Sequence, residues 1–289
     1  MSNDALMIAS AILNLQQESS NFKDYIFPAL TTSGSVLLGY LMANNTFAKQ
    51  EIIKSEIARV NDFNKFLVAI DSGMQTLIAI KNTYMGRINS NPIERALSIP
   101  TISCYFSPPP DVTLIIFLAK ANEYNASRAF FETWNNLPRV NAMLGNFQNL
   151  HDKINHRNTV LSQLREFYQI DDQGRSVMNI GTLTPEQFKV LKTAVDLTEG
   201  VLCLVEGLLK EYYSCLKNIP SAAKLSINEK VTKKHVEVLT YSNPSPQFQK
   251  SFSSIPNVDI SALAFILGVS EEVAKASFIT GYEKVPVVF

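Results

Sequence analysis

This chain is short of cysteine, of histidine and of any excess of one charge. Its three cysteines among 289 residues, Cys104, Cys203 and Cys215, stand at unrelated spacings. That excludes a disulfide framework and a zinc pattern. Free thiols fit a reducing compartment, where each reads most simply as a small buried hydrophobe. His151 and His156 lie five apart in HDKINH and point to different faces of a helix, so they form no i, i+4 metal pair. They read as solvated surface histidines, and His235 has no cysteine or glutamate at ligand spacing. Lys+Arg and Asp+Glu are equal at 26 each, so no global field draws in nucleic acid or an acidic surface.

The usual catalytic signatures are missing too. The sequence has no GxSxG elbow, P-loop, GxGxxG turn or HExxH helix. Neither a catalytic residue nor a cofactor is assigned. The first twenty residues lack a basic region followed by a small-residue cleavage site, so no cleavable signal peptide is expected. No internal repeat is evident. With 46% hydrophobic residues the chain can bury a sizeable core, and disorder over most of its length is not expected.

What is present begins with the longest uncharged run in the sequence. Within it, Tyr25 to Met42 reads YIFPALTTSGSVLLGYLM. A membrane span needs about 20 mostly apolar residues, and this run lies at the low end of the workable range. Its leucines, isoleucine, valine and phenylalanine each favour insertion by roughly 0.3–0.6 kcal/mol, while Pro28, Thr31, Thr32, Ser33, Gly34 and Ser35 offset much of the gain. Two features tilt the balance toward a span. Pro28 sits near the start of the run, where a missing N–H costs a helix least. Thr31, Ser35 and Gly39 recur every four residues and form a small-residue stripe of the kind that lets membrane helices approach closely. The alternative is a buried core helix of a soluble bundle. Lys49, Lys54, Arg59 and Lys65 follow the run, against Lys23 alone before it. By the positive-inside rule a span would leave the body in the cytoplasm.

The remainder reads as all-α. Residues 1–23 form a tail with a short helix that Asp4 would cap, residues 24–46 the expected transmembrane helix, and residues 47–241 a helical body. Residues 242–257 read as a linker and residues 258–289 as a small helix pair. From Phe47 to Ile88, Ile53, Ile57, Val60, Phe63, Leu67, Ile70, Met74 and Leu77 step by threes and fours, close to a coiled-coil seam. That seam serves either self-association or packing on the next helix, the second being the commoner use. After the Ser107–Pro110 break, Asp111 is a reasonable cap for a helix through VTLIIFLAKANEY. Phe130, Phe131, Trp134 and Leu137 form an aromatic patch. Pro138 breaks or kinks the chain before a helix from Val140 to Tyr168, and Asp171–Gly174 is a turn. Thr184-Pro185-Glu186-Gln187 is a capping box, with Leu183 and Phe188 as its hydrophobic staple. The long helix it opens is expected to stop at Asn218 and Pro220, with a shorter one from Asn228 to Tyr241.

Three further features are weighed for chemistry. Glu199 and Glu206 are seven apart on one helix, which makes a carboxylate pair geometrically possible but gives it no histidine partner. The Lys230–Lys234 cluster reads as a solvated helix face. ALAFILGVSEEVAKASF resembles the start of a helix-turn-helix DNA reader through Ala264, Gly268 and Val269. Its second helix opens with two glutamates and offers only Lys275 to phosphates, so a small packing pair capped by Ser270 is expected instead.

The whole layout resembles that of many bacterial membrane proteins. The expected function is a membrane-anchored helical interaction or sensor protein, self-associating through Thr31, Ser35 and Gly39. Its place is the inner (cytoplasmic) membrane, its partners membrane and further copies, and nucleic acid is not among them. Two alternatives stand beside it: an oligomeric pore-forming toxin or defence effector, and a soluble cytoplasmic regulator or enzyme with a site assembled from distant residues.

Overall fold

Gly86, with φ +78°, takes up the left-handed conformation just beyond the longest element and marks its end. That element, α1, runs from Phe27–Tyr84 in one piece, after a π turn at Tyr25 and Ile26. The hydrophobic stretch and the amphipathic helix of the sequence are therefore a single helix. The structure, a computed structural model, describes residues 6–11, 13–14, 25–119, 133–170, 176–243 and 245–278. The Asp4 cap, the Phe130–Phe131 pair and the Asp171–Gly174 turn expected from sequence lie outside them.

Seven further α-helices follow among the described residues. They are α2 (Pro92–Ser98), α3 (Leu137–Arg165), α4 (Pro185–Ser226), α5 (Glu229–Thr232), α6 (Pro246–Lys250), α7 (Ile260–Leu267) and α8 (Glu271–Ser277). The fold among the described residues is all-α, apart from a two-residue antiparallel ladder in which Gln169 pairs with Val177 and Ile170 with Ser176. Two compact units divide the chain, Met1–Ile57 and Ala58–Phe289, with the boundary inside α1.

In the first unit the large apolar side chains from Tyr25 to Ile52 are 49–74% exposed. The expected transmembrane helix at 24–46 needs correction here. The segment is helical, but among the described residues no helix is long and apolar enough to cross a membrane. Two things dilute it. Pro28 and the Thr31–Ser35 block interrupt the run, and Asn44 and Asn45 end it. The alternative of a buried core helix fails as well, because this segment is exposed on every side.

In the second unit α1 continues through Val60, Phe63, Leu67, Ile70, Met74, Leu77 and Tyr84, all buried. From Val60 onward the seam packs into this chain's own core, so it is not available as a coiled-coil surface. The facing seams are Val140, Met143, Phe147, Leu150 and Ile154 of α3, and Val201, Leu202, Val205, Leu209, Tyr212 and Leu216 of α4. A second cluster joins Val160, Leu161 and Leu164 to Leu191, Val195, Leu263 and Ile266, seating α7 against the first half of α4.

Local signals place most of the helix ends. The Gln187 amide donates to Thr184 Oγ1 at 3.3 Å and the Thr184 amide to Gln187 Oε1 at 2.9 Å, completing the capping box. Ser270 accepts from the Val273 amide and caps α8. Asn136 caps α3, so Pro138 sits in its first turn, where a proline is tolerated, instead of breaking it. Pro220 does not stop α4 either. Ile219 and Ala223 are fully buried beside it, and their packing carries the helix on to Ser226. Asp111 caps a 3₁₀ turn (Val112–Leu118) rather than a longer α-helix. A turn at Lys233–His235 and irregular chain follow α5, so the helix expected to reach Tyr241 ends at Thr232.

Candidate functional site

Helix α4 presents a column of polar groups to the interior, and each is met by a cation from α1, α2 or α3. Glu199 accepts from Arg95 Nε of α2 at 2.7 Å, both side chains being buried. One step along, Glu206 accepts from Lys81 Nζ at 2.8 Å and from the Tyr84 hydroxyl at 3.2 Å, both on α1. Glu211, fully buried, takes Arg139 of α3 in a two-toothed grip of 2.7 and 3.1 Å. Thr198 accepts from Arg157 Nε at 2.9 Å. Each pair ties α4 to its neighbour in one register, because a slip would leave a buried charge without its partner.

Arg157 is fully buried, and among the described residues its hydrogen-bond partners are a hydroxyl and backbone carbonyls, not a carboxylate. Its guanidinium donates to the carbonyls of Ala96, Ile99 and Pro100, the C-terminal end of α2, where a helix dipole favours positive charge. Burial lowers its pKa to about 10. Burial also raises Glu199 to about 6, opposed by the attraction of Arg95. The Tyr84 hydroxyl is pushed well up by burial and then by Glu206, and the Cys215 thiol by burial and then by Glu211.

Glu199 and Glu206 thus do share one helix face, but each carboxylate is neutralised by its own cation. They are not a vacant acid pair. Among the described residues no group of three His, Cys, Asp or Glu side chains is placed to hold a metal. His151 lies half-buried against the Phe106 ring, with centroids 4.5 Å apart, while His156 and His235 are exposed. The three cysteines are free thiols, Cys215 buried and the others half-buried. Lys230 to Lys234 spans the short α5 and the turn after it, with Lys233 and Lys234 exposed. The helix pair α7–α8 turns at Gly268, with φ +64°, and forms one side of a groove of about 590 Å³ against Lys189, Lys192 and Asp196 of α4.

The stripe expected to carry association lies in the first unit. Thr31, Ser35 and Gly39 are all exposed on α1. The Thr31 hydroxyl donates to the carbonyls of Phe27 and Pro28, and Ser35 to that of Thr32. A side chain added at Gly39 would meet nothing within 4 Å.

Sequence reasoning missed the cations Lys81, Arg95, Arg139 and Arg157. A signal existed for two of them. Lys81 falls on the seam that runs through Met74, Leu77 and Tyr84, and Arg157 on the one through Leu150, Ile154 and Leu161. A charge at a core position of a helix demands a partner from another element. No family model, no curated protein and no solved structure matches this chain.

Proposed function

We propose that this protein is a helical interaction protein that works by self-association of the N-terminal part of α1, through the stripe of Thr31, Ser35 and Gly39. One observation carries the reading: the large apolar side chains from Tyr25 to Ile52 are exposed around the whole helix. A helix apolar on all sides is stable only when something covers it. Copies of the same segment suit each other, because no charge stands between Tyr25 and Ala48 to oppose its own image in a partner. The buried carboxylates of α4, Glu199, Glu206 and Glu211, are taken up in pairing with neighbouring helices, which supports a structural role for that column. Oxidative cross-linking tests the pairing face. A Ser35→Cys chain is expected to form a disulfide-linked dimer, and a Ser33→Cys chain, roughly 200° away around the helix, to form far less. Equal yields, or none from either, would refute it.

A second reading places the same associated helices in a membrane. It is favoured by the way Thr31, Ser35 and Thr46 return their hydroxyl protons to carbonyls of their own helix. That removes the need for water partners, as a lipid environment requires. The limited apolar length of the helix weighs against a lone crossing. Washing the membrane pellet with alkaline carbonate separates the two readings. Retention until detergent is added favours membrane anchoring, and release into the supernatant favours association in water. Ion leakage on overexpression would single out the pore-forming alternative.

A further inference from the structure

The groove between α4 and the α7–α8 pair has two walls of opposite character. One is α4, where Lys189, Lys192 and Asp196 fall on one side of the helix at spacings of three and four. The other is apolar and comes from Leu267, Val269, Val273 and Phe278. Val269 is 41% exposed and Val273 51%, so this apolar wall stands open to water. The lysines differ from the cations of the buried column. Lys81, Arg95 and Arg139 each hold a carboxylate, whereas among the described residues neither Lys189 nor Lys192 is paired with one. Lys192 is half-buried and reaches over the turn between α7 and α8, its Nζ 3.6 Å from where a Cβ on Gly268 would stand. Its charge therefore lies beside the apolar wall. Asp196, one turn along α4 and exposed, forms no ion pair with either lysine. Two cations and one anion leave this wall a single positive charge.

We propose that this groove binds an amphiphilic monoanion, an apolar chain ending in one carboxylate. The carboxylate lies between Lys189 and Lys192, and the chain is laid over Val269, Val273 and Phe278. A volume of about 590 Å³ is that of a small-molecule site, in which a mostly apolar lining is joined to a few placed polar groups. One carboxylate balances the charge of the α4 wall, whereas the second charge of a dianion would meet Asp196 uncompensated. Lysine suits this ligand. Its flexible stem lies along apolar surface while the ammonium, a compact point charge, stays at the edge of the water. The site lies wholly in the second unit, so it stands independently of association through the first.

Methyl NMR of the full chain during a titration with decanoate, kept below its micelle concentration, tests this, with decylammonium as the matched cation. The Val269 and Val273 methyls are expected to shift and saturate with decanoate and not with decylammonium. In a Lys189→Gln, Lys192→Gln double variant the affinity read at those methyls should fall about tenfold. The Leu37 and Leu38 methyls report separately on binding to the exposed apolar part of α1, which the double variant leaves unchanged. Unmoved Val269 and Val273 methyls, shifts confined to Leu37 and Leu38, an equal response to decylammonium, or a double variant that binds as tightly as the parent would overturn the proposal. The comparison of the two amphiphiles on the wild-type chain stands without the variant, should the variant fail to fold.

Discussion

Tyr212 of α4 lies against the backbone of Gly73 in α1, so closely that a Cβ there would stand 2.7 Å from the ring carbon Cε1. The ring has little room to retreat. It is 2% exposed and packed at a tilt against Phe147, with ring centroids 5.4 Å apart. Gly73→Ala is therefore expected to destabilise the fold by about 1–2 kcal/mol, overpacking outweighing the helix propensity gained. Gly145 of α3 has nothing within 4 Å of its own missing Cβ. The same substitution there should stabilise by up to about 1 kcal/mol. Thermal melts of the two variants should shift in opposite directions, and a stabilising Gly73→Ala would refute the close approach.

The Arg139–Glu211 pair makes a second prediction. Arg139→Met leaves the buried Glu211 carboxylate without its counter-charge, at a cost of about 3–5 kcal/mol. Replacing both residues, as Arg139→Met with Glu211→Leu, removes the uncompensated charge and should recover most of that loss. Urea unfolding of the two single variants and the double variant gives the coupling. Simple additivity would show that the pair contributes nothing as a pair.

Glu199 links stability to pH in the direction opposite to most carboxylates. Its folded value of about 6 lies above the ordinary 4.5, so the folded chain holds the proton more tightly than the unfolded one. The contribution is fully present below pH 4.5 and is lost as pH rises through about 6, amounting to about 2 kcal/mol. Glu199→Gln should remove this component from a plot of unfolding free energy against pH. An unchanged slope between pH 4 and pH 7 would assign it to another group.

Much of this fold was legible in the residues, and what escaped did so for physical reasons. The spacing of Val60 to Leu77 marked the buried seam, and the Thr184–Gln187 box marked the start of α4, because both are local signals. Pro220 misled because propensity yields to packing where Ile219 and Ala223 are buried on either side. Asn228 to Tyr241 misled because only Glu229–Thr232 of it forms a helix. The polar column was half visible. Glu199 and Glu206 could be placed on one face, but their partners Arg95 and Lys81 lie 104 and 125 residues away. No single-helix pattern encodes that pairing. The apolar segment at Tyr25–Met42 stood out at once, and its continuity with the amphipathic helix that follows was only suggested by spacing.

Self-association through that segment is the centre of the account, and sedimentation velocity of the full chain in mild detergent tests it most directly. Gly39→Leu is a clean probe, since the new side chain meets nothing in its own chain within 4 Å of the Cβ. The wild-type chain is expected to sediment as an oligomer and the Gly39→Leu chain as a monomer with an unchanged helical spectrum. A wild-type chain that stays monomeric across the accessible concentration range, or a leucine variant that associates as fully as the parent, would contradict it.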